Sequence, residues 1–238
     1  MRFIRNNPLA VAFLLFMAYQ AVTRGQMNDP ISWIMEKVII LPAILIGLSF
    51  HEFAHAYAAV RLGDPTPKFQ KRVTLNPIAH IDIFGFLALI FIGFGWGKPV
   101  EINPNNFKNI RRDSLIVDVA GVTVNLILSI IFAGVLRLLV VYQYDFLSTS
   151  LGSLVTQMIF AIITINIVLM IFNLLPIPPL DGFGILTEIF NLREKEFYYQ
   201  IYDKGFVILL LLLIFNITGL VLVPAVEFVY SLVMGIFF

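Results

Sequence analysis

The stretch Leu41 to Gly63, LPAILIGLSFHEFAHAYAAVRLG, constrains the rest of the chain more than any other. It is apolar and long enough to cross a bilayer as a helix, for which about 20 residues suffice. Its second half nevertheless carries His51, Glu52 and His55. Ionisable groups at membrane depth are costly and persist where they have a role. Residues at i and i+4 of a helix point only about 40° apart, so both imidazoles can face one metal ion. The intervening Glu is the base of such a site. A catalytic zinc takes three protein ligands and keeps one position open. The remainder of the chain must therefore supply a third ligand and shield the group.

Composition sets the medium. Of 238 residues, 59% are hydrophobic and 13% charged, whereas a soluble domain is nearer half and a quarter. This predicts an all-α polytopic membrane protein surrounded by lipid. The net charge of +1 gives no case for a nucleic-acid partner. The absence of cysteine removes disulfides, thiolate ligands and cysteine nucleophiles. The three histidines are His51, His55 and His80.

In chain order, Arg2 and Arg5 precede an apolar run at Leu9 to Val22, expected to be a first membrane helix. The His-bearing helix ends at Gly63-Asp64-Pro65, where glycine suits a left-handed cap and proline cannot continue a helix. A basic segment follows, with Lys68, Lys71 and Arg72. The next apolar piece, Ile83 to Trp96, is short for a span. Another basic loop, Lys98 to Asp113, comes after it. Basic loops favour the cytoplasmic side. Both loops lie on one side if residues 83–96 enter and return, which predicts a re-entrant or hairpin element. Gly93, Gly95 and Gly97 then read as tight packing, not as a phosphate loop. Ser114 to Val141 and Leu154 to Leu175 are expected to go out and back. Gly205 to Val223 is expected to leave again, broken by Pro224. The expected organisation is one membrane domain with a core over about 38–192 and flanking segments at 9–22 and 205–238. It places His51, His55 and Asp181 at similar depth, toward the cytoplasmic side of the cell membrane.

The candidates for the third ligand are Asp181, His80, Asp82, Glu188 and Asp118. Asp181 is preferred, because Pro176-Ile177-Pro178-Pro179-Leu180 frees and bends the backbone before it, and Gly182 allows close approach. Glu52 would take a proton from a water activated by the metal and pass it to a leaving amine. Two histidines and a carboxylate with an open position point to one Zn2+ per chain. Asn125 and Asn173, in apolar helices, read first as interhelical hydrogen-bonding groups. His80 reads as a loop histidine or as a group supporting the ligands.

These residues resemble the site-2 protease family of intramembrane zinc metalloproteases. The likeness rests on His51-Glu52-Phe53-Ala54-His55 and on Asn173-Leu174-Leu175-Pro176-Ile177-Pro178-Pro179-Leu180-Asp181-Gly182. Leu75 to Asp82 looks like a segment of the compact prokaryotic branch, and Ala120-Gly121-Val122-Thr123-Val124-Asn125 resembles the Ala-Gly-Pro-x-x-Asn of the central helix. The resemblance implies a three-helix catalytic core with zinc on His51, His55 and Asp181 and with Glu52 as base. It implies that Asn125, Asn173 and Pro176 line the cleft where a transmembrane substrate is unwound and cut. It also implies a membrane-embedded strand element after the first motif that guides substrate by strand addition. Val122 stands where the family has proline, which removes the expected kink. Phe183-Gly184 replaces the usual small residue and arginine. No PDZ-like or regulatory domain is expected in this length.

Two other function classes fit the residues less well. A metal-ion carrier would spread acidic and His positions along a path or show internal repeats, whereas here they cluster at one depth. An inactive scaffold would not need Glu52. The serine and aspartyl motifs of other intramembrane proteases are incomplete.

Overall fold

The computed structural model describes residues 29–92, 95–215 and 217–238. The expected first helix at 9–22 lies outside them. Helix α1, Pro30–Arg61, starts where the Asp29 side chain accepts from the Ser32 amide at 3.1 Å and proline takes the first helical position. It stops at Leu62, and Gly63 turns the chain at φ 111°, a region open to glycine. α2, Ile83–Ile92, follows. α3, Ile110–Tyr142, is capped by Asn109, and α4, Ser150–Asn173, by Thr149. α5 is Asp181–Phe190, ended by Asn191 in the left-handed region at φ 52°. α6, Glu196–Ile214, and α7, Ile217–Gly235, complete the chain. α3 runs unbroken through Val122, in keeping with the missing proline.

Among the described residues four helices, α1, α3, α4 and α7, are long and apolar enough to cross a membrane. The protein is thus an all-α polytopic membrane protein. α1, α3 and α4 each pack against the other two. Lipid tails are as apolar as leucine, so these contacts depend on close fit and on hydrogen bonds between helices. Small residues supply the fit: Ala43, Gly47, Ala54 and Ala59 lie on the buried face of α1. A Cβ on Gly47 would stand 2.7 Å from a Leu169 methyl of α4. Away from the site, Ala133, Leu136, Ile159, Ile163, Ile167 and Val233 form the core of the bundle.

Two expectations change. Residues 83–92 form a helix, where the family resemblance implied a strand. Ten residues rise only about 15 Å, half the hydrocarbon thickness. The chain then returns: a Cβ on Gly95 would meet Gly85 O at 2.0 Å, and Ile81 and Gly97 form an isolated antiparallel bridge. Lys98 N donates to His80 O at 2.8 Å beside it. The hairpin is therefore a half-depth helix with an irregular return leg, paired at the neck by one bridge. A continuous apolar run such as Ile83–Ile92 does not by itself distinguish helix from strand. The second change concerns the last apolar stretch. It divides at Phe215 and not at Pro224, which lies inside α7. Membrane helices tolerate proline because neighbouring groups re-satisfy the freed carbonyl.

Asp64 fastens the end of α1 to the loop ahead of α3. It is fully buried and accepts from Thr66 N at 3.0 Å, Asn103 N at 2.7 Å and the Asn106 amide at 2.7 Å. Burial alone would raise its pKa; the hydrogen bonds from Thr66, Asn103 and Asn106 outweigh that and hold it below the usual carboxylate value. A depressed native pKa contributes stability above the unfolded value, about pH 4, and loses it as pH falls through the native one. Asp64→Ala is therefore expected to destabilise the protein by about 1–3 kcal/mol at neutral pH. In thermal unfolding of detergent-purified protein, the gap from wild type should narrow as pH is lowered below about 4.

Candidate metal centre

His51 and His55 lie one turn apart on α1, and Asp181 is the first residue of α5. The two Nε2 atoms are 3.0 Å apart. Asp181 Oδ2 lies 3.3 Å from His51 Nε2 and 3.4 Å from His55 Nε2. The rings stand nearly perpendicular, at 82°. α1 is antiparallel to α3 here, and Gly121 of α3 makes room for both rings. A Cβ at that position would stand 2.4 Å from His55 Nε2 and 2.6 Å from His51 Cε1. Asp181 arrives because the chain folds sharply back after α4. Gly182 permits it, since a Cβ there would meet Leu174 O at 2.2 Å.

The hydrogen bonds behind the rings assign the tautomers. His55 Nδ1 lies 2.8 Å from the Val117 carbonyl, which can only accept. His51 Nδ1 lies 2.7 Å from Asn125 Oδ1. The orientation of Asn125 is set in turn: its amide nitrogen donates to Asn166 Oδ1 at 2.9 Å and to Gly47 O at 3.3 Å. Asn166 donates to Ile162 O at 2.8 Å. Both Nδ1 atoms therefore carry protons, which leaves Nε2 of each ring as the nitrogen that can present a lone pair to a metal. These two lone pairs and the Asp181 oxygen, which is buried with no hydrogen-bond partner, converge on one point. Three acceptors this close repel one another unless a cation lies between them. Two imidazoles and one carboxylate are the donor set of a catalytic zinc site, and protonated far nitrogens bonded to oxygen acceptors are the usual support of such ligands. The imidazoles are 7% and 9% exposed, against 17% for the Asp181 side chain, so the open side of the cluster is that of Asp181.

Glu52 is buried beside the cluster, and its Oε2 accepts from Val100 N at 2.9 Å. The other candidates for a third ligand are engaged elsewhere. His80 is fully buried with Nε2 at 2.8 Å from Thr74 O, which directs the ring at the loop, and burial lowers its pKa. Asp82 accepts from Gly85 N at 2.8 Å, at the start of α2. Glu188 pairs with Arg193 at 2.5 Å. Asp118 packs on Gly184, whose missing side chain leaves its space. Asn125 is fully buried behind His51 and does not face an open cleft. Asn173 turns back to Leu169 O of its own helix at 2.9 Å. Pro176 is exposed.

Sequence reasoning missed four groups here. Asn166, an amide in an apolar helix, carried the same signal that singled out Asn125. Gly121 had been read only as part of a motif. The Val117 carbonyl and the Val100 amide are backbone groups and leave no trace in residue type.

Residues 39–215 match the family described as Peptidase family M50. The chain belongs to that family. It is 37% identical over 196 residues to YwhC of Bacillus subtilis, covering 82% of this chain and 87% of that protein. It is 29% identical over 221 residues to Rip2 of Mycobacterium tuberculosis H37Rv, covering 89% and 81%. The names of both relatives assign them to the zinc metalloproteases. No solved structure matches significantly. With its three-donor cluster, this M50 peptidase is a zinc metalloenzyme of the membrane.

The clearance at Gly121 gives a test. Gly121→Ala should push the imidazoles out of convergence and lower bound zinc at least several-fold in metal analysis of purified protein. Gly235→Ala, with nothing within 4 Å of the added carbon, should retain it.

Proposed function

We propose that this M50 peptidase hydrolyses peptide bonds in or near transmembrane segments of membrane-protein substrates, as in regulated intramembrane proteolysis. In this reading His51, His55 and Asp181 hold the metal and Glu52 is the catalytic base. The carrying observation is the convergence of three donor atoms of metal-binding type, two of them with a buried glutamate on one apolar helix. His55 and His51 lie six and ten residues before the end of α1 at Arg61, or about 9 and 15 Å along the axis. This is deep enough to meet a substrate helix within the bilayer and shallow enough for water to enter from the helix end.

Zinc, when bound, polarises a carbonyl and brings the pKa of a water to about 7. The protein's own groups do the remainder. Val100 N–H holds Glu52 Oε2 and leaves Oε1 to take the proton of the attacking water. The same carboxyl then delivers that proton to the departing amine nitrogen, so one residue serves as base and then acid. Asn125 and Val117 O keep the Nε2 lone pairs pointed inward. The buried walls of α1, α3 and α4 keep bulk water from the other faces. The scissile segment must leave its helix to expose a carbonyl. The return leg past Gly97 runs alongside Glu52, and in this reading a substrate segment lies against it.

The end of the bundle that carries the site also carries Arg61, Lys68, Lys71, Lys98, Lys108, Arg111 and Arg112. By the charge bias of membrane loops, that end faces the cytoplasm.

Glu52→Gln should keep its zinc and lose cleavage of a helical membrane substrate by at least about 100-fold. Unchanged cleavage would remove Glu52 from the mechanism. Asp181→Ala should lose zinc as well as cleavage. For orientation, a cysteine introduced at Ser148, in the turn between α3 and α4, should be labelled by an impermeant reagent on intact cells. Labelling only after lysis would invert the assignment.

A further inference from the structure

The sequence reading treats Arg72 as one of several loop charges on the basic side. The structure buries it, at 4% exposure. Lys71 turns the chain at φ 57°, and Arg72 N donates to Pro67 O at 2.8 Å, which sends the side chain inward. Its guanidinium donates through one nitrogen to Ala79 O and through another to Lys98 O. Those carbonyls belong to opposite legs of the hairpin neck. Between them lie the Ile81–Gly97 bridge and the Lys98 N to His80 O hydrogen bond. Among the described residues Arg72 has no ion-pair partner, and its Nε is buried without an acceptor. A buried guanidinium is costly even with the Glu52 and Glu101 carboxylates near enough to favour its charge. A hydrophobic residue would close the neck at lower cost, so the fork itself needs an explanation.

We infer that Arg72 is a positioning residue for the catalytic base, clamping the two legs of the hairpin so that the Val100 amide is held against Glu52. The connection is short and stiff. Lys98 receives the clamp, Pro99 has its φ locked by its ring, and Val100 follows directly. Two residues span at most about 7 Å. A shift of the return leg at Lys98 therefore passes almost undiminished to the Val100–Glu52 hydrogen bond. Glu52 without that bond can rotate away from the proton it must take, and a misplacement of about 1 Å is enough to cost on the order of 100-fold in rate. The planar fork explains why arginine stands here. Two donors at fixed spacing can bridge two carbonyls, whereas a single ammonium acts as one point. This inference rests on Glu52 being the base.

The test uses the full-length protein in detergent or liposomes with a helical membrane substrate. Arg72→Gln should lower kcat about 10- to 100-fold, with KM changed less than about three-fold and zinc content unchanged. Val100→Pro, which removes the donor and leaves Arg72 in place, should give a similar fall. Because both act on one contact, the double variant should be no slower than the slower single variant. Arg72→Lys keeps the charge and should recover less than a fifth of wild-type kcat. Should Arg72→Gln lose zinc or melt early, Val100→Pro and Arg72→Lys still decide. Wild-type kcat in either of them overturns the inference, as do losses that multiply in the double variant. If Glu52→Gln also retains cleavage, the proposed mechanism fails as a whole. If Glu52→Gln is inactive while these variants are normal, only the role of Arg72 fails.

Discussion

The structure depends on three acceptor atoms that are brought together in spite of their mutual repulsion. His51 Nε2, His55 Nε2 and Asp181 Oδ2 lie within 3.4 Å of one another. They are held there by groups that leave them no alternative. Val117 O can only accept, and Asn125 is locked in orientation by Asn166 and Gly47 O. The amide chain runs from α4 through α3 to α1, so the tautomer of a ligand on one helix is set by a residue on the third. In lipid such a chain also holds the helices together, because apolar burial between them gains little. Packing of the core and preparation of the site are thus largely the same set of contacts.

A second constraint acts on Glu52, the proposed base. Glu52 lies one residue after His51 and so points beside the cluster, but its orientation comes from outside the three-helix core, from Val100 on the hairpin return leg. The hairpin is a half-depth helix whose ends meet, and its neck is closed by a bridge, a backbone hydrogen bond and the Arg72 fork. Core helices position His51, His55 and Asp181, and the hairpin positions Glu52, the proposed base.

Much of this was legible in the residues. A histidine pair at helical spacing inside an apolar run identifies the metal helix, because lipid makes idle charge expensive. The proline-rich bend and glycine around Asp181 identify the third donor, and the other carboxylates and His80 have their own local partners in the structure. The limits were also physical. Ile83–Ile92 is uniformly apolar, so neither period can be read from it, and a helix forms where the family likeness implied a strand. Pro224 reads as a breaker in water but not in a membrane helix, so the last division came at Phe215. Arg72 carries a charge, and charge alone does not say whether it faces solvent or a carbonyl. Val117 O and Val100 N are backbone groups, whose roles appear only once the chain has folded.

The central claim is that the converging donors hold a catalytic zinc with an open position. X-ray absorption spectroscopy of zinc in the purified, substrate-free protein tests it directly. The expected spectrum has two imidazoles at about 2.0–2.1 Å and further light oxygen scatterers, one of them available for exchange with solvent. A zinc shell without imidazole, or one filled by four protein ligands, would contradict the account.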